Sequence, residues 1–155
     1  MTGMICMMTC TRGATMKRKK QWNPIICVDF DGVIHSYTSG WAGIDKIIDS
    51  PVEGAIGWLT AHLPTPKAFK LPNIVYTGPI VQIYSSRSRS RKGRRAMKTW
   101  LLFHGLDRAY IKERILKFPR KKPPAFLTVD DRAWCFVGTF PTTKEMVDFT
   151  PWYKK

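Results

Sequence analysis

Three apolar runs of this sequence each end in side chains that can carry out chemistry. Carboxylates follow the first and third runs and hydroxyls follow the second: Asp29 and Asp31 after residues 25–28, Ser85 and Ser86 after 80–84, and Asp130 and Asp131 after 125–129. A carboxylate can act as a nucleophile or as a general acid or base. Acids gathered together in so basic a chain require a cation, and hard oxygen ligands favour Mg²⁺.

The segments around these side chains predict an α/β fold. Each run is short, continuous and apolar, which is typical of a buried strand in a parallel sheet. The pattern predicts a helix over 51–62, with Ser50 as its N-cap, and a basic amphipathic helix over 91–104. Alternating strands and helices predict a parallel sheet with helices on both faces. Ligands bind outside the carboxyl ends of such strands, so the reactive side chains should meet in one crevice.

Length and composition indicate one globular domain. The 155 residues include 26 Lys and Arg against 11 Asp and Glu, a net charge of +15, and 44% are hydrophobic. We expect a basic, disordered tail over 1–23 and a folded domain over 24–155. Met16, ahead of four basic residues, resembles a natural start. No run is apolar for long enough to span a membrane. The basic cluster follows the N-terminal stretch instead of preceding an apolar one, so we expect a cytoplasmic protein.

Other segments carry less information. Residues 63–79 are rich in proline and predict a loop, 109–118 is a further apolar segment, and 134–137 reads as a possible fifth strand. The four cysteines form no CxxC pair. Cys27 and Cys135 lie in apolar runs, which predicts buried, reduced thiols.

The order of these motifs resembles the haloacid dehalogenase superfamily of phosphohydrolases. Asp29-Phe30-Asp31-Gly32-Val33 after a strand matches its first motif, DxDG(V/T). Ser85 at a strand end is similar to its second motif, Lys122 to its third, and Asp130-Asp131 to its fourth. The resemblance covers about residues 24–140 and implies a three-layer, Rossmann-like sheet. The intervals between motifs leave no room for a sizeable cap domain.

The resemblance also implies a role for each motif residue. Asp29 would attack phosphorus and form an aspartyl-phosphate, while Asp31 would act as general acid and then base. Mg²⁺ would be held by Asp29, the backbone carbonyl of Asp31, Asp130 and, directly or indirectly, Asp131. Ser85 and Lys122 would hold the phosphoryl oxygens. Ser86 is an alternative to Ser85, and Lys117 and Lys121 are alternatives to Lys122.

Basic residues follow the phosphate-holding serine and suggest the substrate. Residues 85–98 contain seven basic residues and no acid, and 112–122 contain six against one Glu. We expect Arg87, Arg89 and Arg91 to surround the crevice, with His35 in the loop after the nucleophile as a further substrate contact. Such a field attracts polyanions.

The substrate and the function remain open at this point. A phosphorylated nucleic-acid end or a nucleotide would suit the basic field, and so would another phosphorylated metabolite. The alternative to a phosphatase is a nucleic-acid-binding protein on the same scaffold with little turnover. A phosphotransferase or a structural subunit has no positive support in the sequence.

Overall fold

The computed structural model describes residues 23–66, 78–133, 135 and 137–154. Within them lies a three-stranded parallel sheet made of β1 (Ile25–Val28), β2 (Ile80–Ile83) and β3 (Leu127–Val129). The strand order is β2-β1-β3, with β1 in the centre. This confirms the predicted α/β class and the parallel sheet. The predictions for residues 1–22, and for most of the loop over 63–79, lie outside the described residues.

Helices and short 3-10 helices connect the strands and follow the last one. The α-helices are α1 (Ala55–His62), α2 (Arg91–Phe103), α3 (Arg108–Lys112) and α4 (Thr143–Asp148). The 3-10 helices span Ser86–Arg89 and Trp152–Lys154. Prediction and structure agree closely for α2. Its N-cap Ser90 accepts hydrogen bonds from the backbone N–H groups of Lys92 and Gly93, which satisfies donors that the first turn leaves free.

Helix α1 is shorter than predicted. It begins at Ala55 instead of residue 51, and its N-cap is Gly54, with φ of 77° and no side-chain cap, so the prediction of Ser50 as N-cap is wrong. The reason is a tertiary contact, because Pro51 pairs with His35 in an antiparallel bridge. That bridge holds the chain extended where local sequence favours a helical turn.

The main apolar core lies against one face of the sheet. Strand partners such as Val28 and Ile83 point to the same face, because paired residues in a sheet share a side. They belong to one buried cluster with Leu59 of α1 and Leu101 of α2. Cys27, on the opposite face, is buried but lies outside this cluster. The described helices α1 and α2 therefore contribute to one core, whereas the alternating pattern predicts helices on both faces.

The segment after β2 adds a single pairing to the sheet. Lys117 forms a parallel bridge with Gln82, and its carbonyl accepts a hydrogen bond from the Ile83 N–H (2.9 Å). This contact extends the sheet on the side of β2 away from β1. The apolar segment predicted at 109–118 thus supplies α3 and this bridge.

Two predictions near the C-terminus are wrong for the described residues. Cys135 is an exposed free thiol, and Cys135 and Val137 belong to no strand. Trp134 and Phe136 of the same segment lie outside the described residues. The side chains of Cys135 and Val137 are both exposed, so the apolar run gains none of the burial that would favour a strand here. Cys27 is a buried free thiol, as predicted, and burial raises its pKa. Among the described residues, no helix has the length and apolar character needed to cross a membrane.

Candidate active site

Three carboxylates meet at the carboxyl edge of the sheet. Asp29 follows the central strand β1, and Asp130 and Asp131 follow β3, about 100 residues later in the chain. The Asp29 N–H donates to the Val129 carbonyl (2.9 Å), which continues the β1–β3 pairing into the site. One oxygen of each carboxylate lies within 4.8 Å of the other two. The chain winds from β1 towards β2 and later returns past β1 to β3, so this edge is a topological switch point, where open α/β sheets bind ligands.

The surroundings of Asp29 disfavour its charge. The pKa of Asp29 is raised to about 7, chiefly by burial. The neighbouring Asp130 and Asp131 also raise it, and a hydrogen bond from Phe30 lowers it. That bond is donated by the Phe30 backbone N–H to Oδ1 (2.6 Å). Without a cation, a substantial fraction of Asp29 is therefore protonated at neutral pH. A cation among the three carboxylates would restore the ionised form.

Asp131 is a buried carboxylate with no hydrogen-bond partner among the described residues. Its side chain is 0% exposed, and both Oδ1 and Oδ2 are shielded from solvent and unbonded. Arg132 lies nearby, with Nε 3.4 Å from Oδ2. Leaving a buried charged group without hydrogen bonds costs several kcal/mol. Asp131 therefore has an ion-pair partner on one oxygen but no hydrogen bond on either, which leaves it able to take a further positively charged ligand.

Gly32 allows Asp131 to approach the backbone of the first motif. Its φ is +87°, and a Cβ at this position would lie 2.6 Å from Asp131 Oδ2 and 3.0 Å from Tyr153 Cε1. Any side chain here would therefore displace the carboxylate. The glycine of the DxDG motif has a direct steric role in the site.

The C-terminal 3-10 helix covers this part of the site, which the sequence analysis missed. The Trp152 indole N–H donates to the Gly32 carbonyl (2.7 Å), and the Tyr153 hydroxyl accepts a hydrogen bond from Arg132 (2.8 Å). The contact spans 120 residues, so no local pattern predicts it. The only available signal in the sequence was the pair of adjacent aromatic residues, Trp152 and Tyr153. The burial of Asp131 therefore depends on segments that are far apart in the sequence, the first motif and the C-terminal 3-10 helix.

Asp31 is positioned differently from the three clustered carboxylates. Its carboxylate accepts hydrogen bonds from Arg87 Nε (2.9 and 3.1 Å) and Ser85 Oγ (3.2 Å), and it lies 3.0 Å from His35 Nδ1. Burial acts to raise the pKa of Asp31, but the bonds from His35 and Arg87 and the charge of Arg87 lower it overall. The side chain of Asp31 is therefore held as an anion, and it is not a member of the carboxylate group that could hold a metal.

His35 and Arg87 do not reach the crevice, contrary to the prediction that both contact substrate. Both are fully buried. His35 Nε2 accepts a hydrogen bond from the Asp49 N–H (3.2 Å), and the guanidinium of Arg87 lies 4.4 Å from the centre of the Trp41 ring. The physical reason is the buried charge of Asp31, which needs a nearby countercharge. These two residues position Asp31 instead of binding substrate.

A small cleft of about 90 Å³ opens beside Asp29 and Asp130. Such a volume suits one phosphoryl group, since a water molecule occupies roughly 30 Å³. Its lining includes both predicted serines and one of the three candidate lysines: Ser85, Ser86 and Lys122. Ser85 is buried and bonded to Asp31, whereas Ser86 is exposed.

The remaining predicted basic residues lie at different distances from this cleft. Lys122 Nζ is 4.0 Å from Asp130 Oδ2, which places this lysine at the carboxylates. Lys121 and Arg89 line a neighbouring groove, and Lys117, whose backbone pairs with Gln82 of β2, lines a separate pocket. Arg91 is exposed at the first position of α2 and lines neither the cleft nor that groove. Of the three lysines, Lys122 is placed to contact a phosphoryl group in the cleft.

Comparisons with protein-family models, with curated proteins and with solved structures give no match to this chain.

Proposed function

We propose that this chain is a Mg²⁺-dependent phosphatase of the haloacid dehalogenase type, which hydrolyses a phosphomonoester through Asp29. One observation carries the proposal. The buried, unbonded carboxylate of Asp131 adjoins Asp29 and Asp130, at the switch point of a parallel sheet. Lys122 and a cleft of phosphoryl size lie beside them. This arrangement combines a place for a cation with a place for a phosphate.

The donor set fits Mg²⁺. Carboxylate oxygens are the hard ligands that this ion prefers, and Asp29 and Asp130 would hold it while Asp131 ligates or orients it. The unbonded oxygens of Asp131 and the raised pKa of Asp29 both favour a positive charge at this position. When bound, Mg²⁺ offsets the repulsion between the anionic nucleophile and the anionic phosphate.

The residues of the cleft divide the reaction between them. An ionised Asp29 oxygen forms a bond to phosphorus, and the ester P–O bond breaks with its electron pair on the leaving oxygen. Lys122 and either Ser85 or Ser86 hold the phosphoryl oxygens. A water molecule then attacks phosphorus and loses a proton, which releases phosphate and regenerates the Asp29 carboxylate.

Asp31 suits the second of its two expected roles better than the first. Its ionised form is stabilised by Arg87 and His35, so Asp31 carries no proton at neutral pH and can receive one from the attacking water, although the same contacts make it a weak base. Protonation of the leaving oxygen by Asp31 stays a prediction from the resemblance. If Asp31 is a weak proton donor, turnover should depend strongly on the leaving group, with aryl phosphates hydrolysed much faster than alkyl phosphates.

A second candidate function is nucleic-acid binding without turnover. The groove that Lys121 and Arg89 line beside the cleft favours it, because exposed cations there would attract phosphates whether or not Asp29 reacts. The two functions differ in one respect that can be measured. A binding protein retains oligonucleotides in a salt-dependent manner but releases no phosphate.

The experiment that tests the proposal is a phosphate-release assay with Mg²⁺. The substrates are an aryl phosphate, nucleoside monophosphates, and oligonucleotides phosphorylated at the 3′ or the 5′ end. Wild type is compared with Asp29→Asn, and Glu53→Gln serves as the control because it also neutralises one carboxylate but at an exposed position. We expect turnover by wild type and by Glu53→Gln, and loss of turnover in Asp29→Asn and on chelation. Absence of phosphate release from every substrate contradicts the proposal.

A further inference from the structure

A second groove of about 650 Å³ adjoins the catalytic cleft. Two residues, Tyr84 and Lys122, line both spaces and so join them. The other residues that line the groove are all basic: Arg89, Arg120 and Lys121. The resemblance to a phosphatase family assigns no role to Arg120 or Tyr84.

The basic side chains of the groove are available to a ligand. Arg89, Arg120 and Lys121 are exposed, and among the described residues no carboxylate lies within ion-pair distance of any of them. Lys92, elsewhere on the described surface, is by contrast paired with Asp45 (2.9 Å). Several unpaired cations facing one groove repel one another, and an anionic ligand relieves that repulsion.

We propose that this groove is a second phosphate subsite, which binds the phosphodiester next to the terminal phosphate of a polynucleotide strand. The inference rests on the proposed phosphatase function and names its substrate class. The size and the charge of the groove support this assignment. The groove has roughly seven times the volume of the cleft, and a substrate with a single phosphate would leave its cations without a partner.

The junction between the two spaces suits a continuous strand. Lys122 lies where its ammonium can approach both the terminal phosphate and the next one. The Tyr84 ring, on the same boundary, offers a surface on which a base can stack, as aromatic residues do in proteins that bind single strands. Arg120 and Lys121 then contact the backbone, which gives affinity without base preference.

The test compares substrates that reach the groove with substrates that do not. The probes are para-nitrophenyl phosphate, thymidine 3′-monophosphate, thymidine 3′,5′-bisphosphate, and thymidine hexanucleotides with a 3′- or a 5′-terminal phosphate. The variant is Arg120→Ala/Lys121→Ala. The control is Arg95→Ala/Lys112→Ala, which removes the same charge from exposed positions that line neither space. Binding of the fluorescently labelled hexanucleotides is measured separately on the Asp29→Asn protein, so that this readout does not require turnover.

We expect the groove variant to lower kcat/KM for a hexanucleotide at least 10-fold relative to kcat/KM for para-nitrophenyl phosphate. The loss should come mainly from a higher KM for the hexanucleotide. The slope of log binding constant against log salt concentration should become shallower by about 1.4, because each of the two cations removed contributes about 0.7. The control should leave the ratio unchanged. An effect on the bisphosphate with none on the hexanucleotides would assign the groove to a small ligand and overturn the polynucleotide proposal.

Two further outcomes separate the subsite from the phosphatase function. In the first, the protein hydrolyses para-nitrophenyl phosphate, but the groove and control variants affect hexanucleotides equally. This result overturns the subsite and leaves the phosphatase function intact. No phosphate release from any probe, with hexanucleotide binding weakened by the groove variant alone, overturns the phosphatase and supports the groove as a nucleic-acid site.

Discussion

The Asp29→Asn substitution should stabilise the metal-free protein, because a carboxylate that is costly to ionise is replaced by a neutral amide. The pKa of Asp29 is raised from 3.8 to about 7, chiefly by burial. The native state therefore holds a proton that the unfolded state has lost, and stability falls as pH rises from the unfolded pKa to the folded one. The shift is about 3 units, which corresponds to at most about 4 kcal/mol above the folded pKa.

The measurable gain is smaller than this ceiling because solvent and structural relaxation screen a half-buried group. We expect Asp29→Asn to exceed wild type by about 2 kcal/mol near pH 8 in chelator, and by less than half of that near pH 5. The amide oxygen of Asn can still accept the hydrogen bond from Phe30, so this contact is preserved. Urea unfolding at the two pH values measures the difference, with Glu53→Gln as the control for a lost exposed carboxylate.

Addition of Mg²⁺ should reverse the order of stability. A ligand that binds the native state stabilises it, and the wild-type site has one more charged ligand than Asp29→Asn. Equal stability of the two proteins near pH 8 in chelator would refute the claim that Asp29 is held in an unfavourable environment. A stability gain of Asp29→Asn over wild type that does not grow between pH 5 and pH 8 would refute the same claim.

Three further substitutions, one of them with a matched control, test how the site is supported. Gly32→Ala should lower phosphate release about 100-fold, because the new Cβ would lie 2.6 Å from Asp131 Oδ2. Gly40→Ala, with φ of +74° and nothing within 4 Å, shares the backbone strain and should keep its activity; equal losses would show that strain alone is responsible. Gly93→Ala should cost about 2 kcal/mol in urea unfolding, since its Cβ would lie 2.3 Å from the Arg87 carbonyl oxygen. Arg87→Met should cost about 3–5 kcal/mol, because a buried carboxylate loses its countercharge; a cost below about 1 kcal/mol would show that solvent reaches that carboxylate.

The elements that could be predicted from the sequence are those with local causes. The run at 25–28 and the periodic apolar residues of α2 give strand and helix at almost the predicted bounds, because burial and capping act within a few residues. The start of α1 could not be predicted, since Pro51 pairs with a residue 16 positions earlier. No local pattern reveals that Cys135 and Val137, in the strand expected at 134–137, are exposed and belong to no strand.

The site shows the same division between local and long-range causes. Asp29, Asp130 and Asp131 were identified because each follows a strand, and the parallel sheet brings their strand ends together. The burial of Arg87 was not predicted, because its carboxylate partner is 56 residues away and a run of arginines ordinarily reads as a solvated surface. Likewise, no spacing rule links Trp152 to the backbone of Gly32.

The central claim is that Asp29 attacks phosphorus, and capture of the phosphorylated residue tests it most directly. Wild-type protein is incubated with an aryl phosphate and Mg²⁺, quenched in acid, which preserves acyl phosphates, and digested. Mass spectrometry then locates the phosphoryl group. The account predicts a phosphoryl group on Asp29 that is absent in Asp29→Asn and in chelator. Phosphate release without any modification of Asp29, or turnover that survives in Asp29→Asn, would contradict it.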